Sequence, residues 1–367
     1  MVVRVYLKQA WNLMKQNPLF STLYIVGTGI SIVMTMVIAI VYYVRLAPVY
    51  PETNRMRTLV VKSAKMTNDE STHSSNISYA MLKDWFYSLE SAEVSTGVSG
   101  TSYARVTNDK EEIPTYARYT DENFFRVFPL VFLEGKPFTE ADRRSGIHNV
   151  VLTDSYAQQL FGTTKGVVGK NFLMDYTNVK VVGVVKSGSF LTPDSYAQVY
   201  LPYSCRDGYD DERSHWALGG YRVYILMKES KSVTDVQDEV LELVRKFNVS
   251  DMGDGWKLDL VGQPELYWHS TFRLRNNVDV DWGRVIWMFV GIFMVLLFVP
   301  AFNLSGMISA RMERQLPDLG IRKAFGASRR RLLVQIIWEN LLLTGLGTLL
   351  GLVIACLLYT SPSPRDA

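Results

Sequence analysis

The chain has 367 residues, 48% hydrophobic and 20% charged, and its 39 Lys+Arg against 36 Asp+Glu leave a formal charge of +3. That small excess is the sum of opposed regions, so it gives no support for a nucleic-acid partner. His73, His148, His215 and His269 are scattered and no CxxC or HExxH occurs, which leaves a metal site without support.

At the amino terminus, Val3, Leu7, Trp11 and Met14 recur at helical spacing while Arg4, Lys8 and Lys15 fall on another face. Residues 1–19 therefore read as an amphipathic helix lying in a membrane interface, ending where Pro18 turns the chain. Residues 20–44 carry no charge, and at about 1.5 Å per residue they can cross a hydrocarbon core of roughly 30 Å. The run is too long for a signal peptide and no small-x-small cleavage site follows, so it reads as a retained transmembrane helix. Within it Gly27, Ser31 and Thr35 lie four apart, a spacing that lets helix backbones approach closely.

Residues 45–284 form the polar bulk of the chain. Thr58 to Lys62, Val150 to Thr153, Lys180 to Lys186 and Tyr221 to Met227 read as strands. Helices are expected after Ser78, after Asp154 and across Val233 to Phe247. Turns are expected at Asn108-Asp109 and Glu134-Gly135, and mobile loops at Met66 to Asn76 and Arg206 to Ser214. An α+β extracytoplasmic domain results, of one or two lobes. It holds the lone cysteine Cys205, so a hydrophobic core rather than a disulfide must support it.

Catalysis finds no foothold in this region. Gly166-Val167-Val168-Gly169-Lys170-Asn171 is the nearest thing to a phosphate loop, but its first glycine is too near the lysine and Asn replaces Ser or Thr. There is no GxSxG, and Glu134, Asp154 and Asp175 read as turn or cap residues, so the chain is not expected to be an enzyme.

Residues 285–308 form a second uncharged span, with Pro300 expected to kink it and Asn303 and Ser305 available to satisfy the freed backbone groups. A basic loop, 309–331, follows: Arg311, Arg314, Arg322, Lys323, Arg329, Arg330 and Arg331 against Glu313 and Asp318, net +5. Residues 332–355 are the third span, with Glu339 its single charge and Gly347, Gly351 and Ala355 a second small-residue row. Basic residues accumulate on the cytoplasmic side. The amino terminus and the 309–331 loop are accordingly expected inside, and residues 45–284, with 28 basic and 32 acidic residues, outside. The last residues, 356–367, end in Ser-Pro-Ser-Pro-Arg-Asp-Ala and look like a translated sequencing adapter, which makes Cys356 non-native and implies a natural chain cut near Ala355. The fold expected is thus a membrane protein with three transmembrane helices present, four in the natural chain, and one large outer domain.

Two sets of residues carry a resemblance. Arg311 and Arg314, then Asp318-Leu319-Gly320-Ile321-Arg322-Lys323-Ala324-Phe325-Gly326-Ala327-Ser328, then Glu339-Asn340, resemble the signature of MacB/FtsX-type ABC transporter permeases. Asp318 stands where that family usually has Glu, and Asn340 where a small residue is commoner. The run Tyr119 to Phe128, Glu134 to Thr139 with Asp142, Val151 to Ala157, Phe161-Gly162, Gly169-Lys170 and Val181 to Lys186 resembles the family's periplasmic core domain.

The resemblance implies a multi-pass protein of the bacterial inner membrane that pairs with a second permease subunit, identical or different. It implies a separate ABC ATPase that binds the ATP and Mg, with no cofactor in this chain. A periplasmic adaptor or outer-membrane component is a further partner it admits. The implied mechanism is mechanotransmission, in which closure of the ATPases moves the periplasmic domains to export or extract a lipoprotein, peptide or hydrophobic compound. The alternative is a non-transporting regulator or receptor of the FtsX type that senses a ligand or activates a cell-wall enzyme. In the 309–331 loop, a short helix presenting Ile321, Ala324 and Phe325 and capped by Gly326 is expected to dock on the ATPase, with Arg322 and Lys323 steering it. The competing reading gives the basic residues only topology and anionic lipid.

Overall fold

The structure, a computed structural model, describes residues 11, 15, 18–100, 102–108, 111–206, 208–209, 217–250, 255–326 and 328–360. The interfacial helix expected over 1–19, the Asn108-Asp109 turn and most of the Arg206 to Ser214 loop lie outside these residues. Described helices are α1 (Pro18–Leu46), α2 (Tyr79–Asp84), α3 (Phe124–Val127), α4 (Glu140–Arg144), α5 (Asp154–Phe161), α6 (Val233–Val249), α7 (Trp282–Ala324) and α8 (Arg329–Thr360). Strands are β1 (Thr58–Val61), β2 (Ala64–Thr67), β3 (Thr72–Ile77), β4 (Ala92–Ser99), β5 (Ser102–Asn108), β6 (Glu111–Thr120), β7 (Phe132–Gly135), β8 (Asn149–Thr153), β9 (Asn171–Met174), β10 (Thr177–Val185), β11 (Val199–Pro202), β12 (Leu218–Gly219), β13 (Tyr221–Met227), β14 (Lys257–Asp259) and β15 (Glu265–Leu266). The chain divides into two compact units, Tyr43–Asp281 and the helical segments on either side of it.

Within Tyr43–Asp281 two sheets form. The first runs β14-β2-β3-β13-β1-β15, with β4 also along β13 and β12 beside β3. The second runs β7-β10-β8-β11-β6-β5-β9, and β9 pairs back onto β10, closing a ring of six strands. Parallel pairings of β8 with β10 and of β6 with β11 mix with antiparallel ones.

Alternation along the strands sorts side chains into three cores, which is why the central strands read as continuous apolar runs. Leu59 and Val61 of β1, with Val223 and Ile225 of β13, pack under α2 and α6 against Met81, Leu82, Val236 and Val240. On the opposite face Val60, Tyr224 and Leu226 meet Phe124, Phe128, Val151, Val185 and Tyr200, a core shared by both sheets. The far face of the second sheet closes over α5 with Val150, Leu152, Tyr156, Val181, Val199 and Leu201.

Helix starts follow local chemistry. The Ser78 hydroxyl accepts from the Met81 amide at 3.1 Å, and Thr139 with Asp142 and Ser232 with Asp235 form reciprocal capping boxes. The segment Met66 to Asn76, expected as a mobile loop, is instead mostly the β2–β3 hairpin, paired from Ala64↔Ser75 to Thr67↔Thr72. Its Thr, Ser and His side chains are polar because β3 is largely exposed, and backbone pairing, not burial, holds it.

In the helical unit, Ser21–Leu46 and Ile336–Leu357 are long and apolar enough to cross a membrane by length and composition, and Trp282–Leu296 is a shorter apolar stretch. The residues expected as a span ending at 308 and those opening the loop expected over 309–331 share one helix: α7 runs unbroken for 43 residues through Pro300 and Pro317 to Ala324. Met, Arg, Glu, Gln and Leu between the prolines are strong helix formers, so the change from apolar to charged sequence does not interrupt the backbone. Likewise α8 does not stop at Ala355 but continues through Cys356 to Thr360, and 361–367 lie outside the described residues.

Candidate functional site

The turn between α7 and α8 gathers the residues expected to dock a partner. Asp318, Gly320, Ile321, Arg322, Lys323 and Ala324 lie on the last turns of α7, while Phe325 and Gly326 leave it. The Phe325 amide donates to the Ile321 carbonyl at 3.1 Å and the Gly326 amide to the Lys323 carbonyl at 3.0 Å. Gly326 has φ +88°, a left-handed conformation that glycine adopts without strain and that commonly ends a helix. Arg329 then opens α8. Ile321 is 57% exposed and Phe325 88% exposed, an apolar pair one helical turn apart on the surface of this chain. Lys323, Ala324, Arg329 and Arg330 are exposed beside them.

The small-residue rows meet differently from the expectation. Gly347 and Gly351 are buried against α1: a Cβ on Gly347 would stand 2.8 Å from Thr28 and 3.0 Å from the Ile25 carbonyl, and one on Gly351 2.7 Å from the Gly29 carbonyl. On α1 the contacting face holds Ile25, Thr28, Gly29 and Ile32, with the Tyr24 hydroxyl bonded to Thr344 Oγ1 at 2.9 Å. Gly27, Ser31 and Thr35 lie beside that face. Ser31 and Thr35 turn their hydroxyls onto the Gly27 and Ser31 carbonyls of their own helix, at 3.0 and 2.8 Å. Spacing of four fits either row, and the second glycine at position 29 was the signal that could have chosen between them.

In the unit Tyr43–Asp281 the motif residues hold the architecture. Asp121, fully buried, accepts from the Tyr87 hydroxyl (2.5 Å), Thr96 Oγ1 (2.6 Å), the Gly97 amide (2.9 Å) and the Phe124 amide (3.1 Å), tying α3 and the end of β6 to β4. Burial pushes its pKa up to about 6 against the opposing pull of those hydrogen bonds. Next to it Glu122 takes two bonds from Arg143, at 2.8 and 3.0 Å; burial opposes the guanidinium's charge, but Glu122 more than offsets this and holds its pKa above the ordinary value.

Glu134 accepts from the Val167 and Val168 amides at 3.2 and 3.3 Å, so the amides of the phosphate-loop look-alike are already taken by a carboxylate. Asp154 accepts from the Ser187 amide at 2.9 Å and Asp175 from the Arg105 amide at 2.8 Å. All three carboxylates organise turns, and among the described residues no group of His, Cys, Asp and Glu could hold a metal.

Comparison with known proteins agrees with this anatomy. Residues 20–243 match the MacB-like periplasmic core domain and residues 287–360 the FtsX-like permease C-terminal domain. These two matches define the class, that of the ABC transporter permeases. More particularly, the chain belongs to the MacB/FtsX family of such permeases, in the group that carries a MacB-like periplasmic core domain.

It is 25% identical over 236 residues to the pyoverdine export ATP-binding/permease protein PvdT of Pseudomonas entomophila, covering 63% of this chain and 34% of that one. To the macrolide export ATP-binding/permease protein MacB of Agrobacterium fabrum it is 23% identical over 234 residues, covering 64% and 34%. The chain therefore spans about a third of the length of these curated relatives. Among solved structures, the periplasmic region of MacB from Actinobacillus actinomycetemcomitans is similar with a TM-score of 0.39 and 17% identity, over 55% of this chain and 88% of that one. A domain of a permease protein from Porphyromonas gingivalis gives 0.42 and 16%, over 56% and 88%.

Proposed function

We propose that this chain is the permease subunit of an ABC exporter of the bacterial inner membrane, with Tyr43–Asp281 on the periplasmic side and the α7–α8 turn in the cytoplasm. The observation that carries the reading is the exposed Ile321–Phe325 edge beside Lys323, ending in the Gly326 cap. A topology signal needs only charge, whereas an apolar edge on a capped helix end is what a groove on another protein binds. The partner is an ABC ATPase that supplies ATP and Mg, and its closure would shift α7 and α8 and, through them, the periplasmic domain. A second permease subunit would complete the assembly. The apolar lengths of α1 and α8, and the exposure of Ile30, Met34, Trp287, Phe293, Leu349 and Leu357, support contact with lipid. At 43 residues α7 extends about 65 Å, twice the hydrocarbon thickness, so its charged end projects beyond the bilayer. The cargo class is a lipoprotein, a peptide or a hydrophobic compound.

The test is co-purification. Arg322→Glu with Lys323→Glu, and separately Phe325→Ala, should each leave the protein inserted in the membrane while the ATPase no longer accompanies it. Undiminished ATPase recovery with both variants would remove the docking reading.

A further inference from the structure

The segment that follows α1 is fastened by polar groups, half-buried at Tyr50 and Asn54 and buried at Glu52 and Arg55, rather than by a helix or sheet of its own. The Tyr50 hydroxyl donates to the Lys186 carbonyl at 2.7 Å and accepts from the Val131 amide at 3.2 Å, both at the end of the second sheet. Asn54 Nδ2 donates to the Val127 carbonyl of α3 at 3.2 Å. Between them sits Glu52, 1% exposed. One of its carboxylate oxygens accepts from Ser195 Oγ at 2.7 Å and from the Tyr267 hydroxyl at 2.8 Å, and the other pairs with buried Arg55.

These partners come from three parts of the chain. Ser195 belongs to the connection between β10 and β11 of the second sheet, and Tyr267 lies between β15 and α7. Asp194, beside Ser195, pairs with Lys62 and with Arg222 of the first sheet, each at 3.1 Å. A buried carboxylate that loses a donor keeps its desolvation penalty, so separating any of these segments is costly and they tend to move together.

We propose that the strap 49–57, with the Glu52 carboxylate as its node, is the joint that carries displacements of α1 and α7 into the second sheet, chiefly into the 186–198 connection. This deepens the coupling reading above and rests on it. Glu52 is a positioning residue: it touches no cargo and acts by holding Ser195 and Tyr267 to one point. The two helices leave the periplasmic unit at opposite ends of its sequence, and their continuations are bonded to each other by Glu52 with Tyr267 and by the pairing of β1 with β15, of which Glu52 alone also reaches Ser195.

The experiment uses the full chain with its co-purified ATPase in nanodiscs, comparing amide hydrogen exchange without nucleotide and after trapping with ADP and vanadate. In the unaltered protein, trapping should change exchange in both 49–57 and 186–198. The double variant Ser195→Ala with Tyr267→Phe removes both hydroxyl donors and leaves the Glu52–Arg55 pair. It should retain ATPase binding and ATP turnover within about twofold, and exchange in 186–198 should rise about fivefold in the nucleotide-free state, as expected for loss of one ordinary hydrogen bond. In that variant the trapping-dependent change should persist in 49–57 and at Lys186, which Tyr50 still holds, and vanish in 190–198.

A merely structural role for the two hydroxyls would raise exchange equally in both states and preserve the trapping response, which overturns the joint. So does an unaltered protein whose 186–198 connection ignores trapping while the ATPase binds and turns over. Failure of the ATPase to co-purify at all removes the coupling reading, and the joint with it.

Discussion

Asp121 shows how much one side chain decides in this domain. Four donors converge on a carboxylate that burial drives up to about 6, above its ordinary 3.8. A carboxyl whose folded-state pKa exceeds the unfolded one contributes its stability in full below the unfolded value and loses it as pH rises through the folded value. The window is therefore about pH 4 to 6, and the change is roughly 2–3 kcal/mol, since each pKa unit corresponds to about 1.4 kcal/mol. Asp121→Asn should flatten this slope in urea unfolding of Tyr43–Asp281 between pH 4 and 7. It should also lower stability by roughly 1–3 kcal/mol, because an amide group must face donors.

Gly183 makes a second prediction at this scale. It pairs with Gly135, and a methyl on it would stand 2.7 Å from the Lys136 carbonyl and 2.8 Å from the Phe132 ring. Gly183→Ala should cost roughly 1–3 kcal/mol in the same assay, by forcing β7 and β10 apart. The resemblance placed a glycine in this strand, but its reason appears only where the two strands touch.

At the scale of elements, the α1–α8 contact rests on backbone closeness. Gly351→Leu would drive a side chain into the Gly29 carbonyl, whereas Gly345 on the same helix has open space around its Cβ position. The melting midpoint in detergent should fall by several degrees for Gly351→Leu, reflecting roughly 1–3 kcal/mol of overpacking, and stay unchanged for Gly345→Leu. Equal midpoints would show that these glycines do not form a packing face. Strand positions were largely legible: Tyr221 to Met227 stands as expected, because a strand buried on both faces reads as one apolar run. The β2–β3 hairpin was not, since Thr72 to Ile77 has mostly exposed, polar side chains and no periodic apolar signal. The α7 continuation through Pro317 was missed for a related reason, as charge and proline marked a boundary that the backbone ignores.

At the scale of the whole molecule, the proposed topology has a direct chemical readout. With Cys205 and Cys356 replaced by Ser, a cysteine at Tyr176, an exposed hairpin tip, should react with a membrane-impermeant maleimide once the outer membrane is opened. A cysteine at Phe325 should react only after the inner membrane is permeabilised. Labelling of both in intact spheroplasts would contradict the assigned sides.

The sequence alone determined where the apolar spans lie, the +5 charge of 309–331, the strands buried on both faces and the Gly326 helix end, because each is written in local composition or in a period of two to four residues. Only the tertiary structure decided which small-residue row faces α8, why Asp121 and Glu134 stand where they do, and that Glu52 meets Ser195 and Tyr267. Those contacts join residues far apart in sequence, and a carboxylate's role is set by the donors that folding brings to it, which no local pattern records.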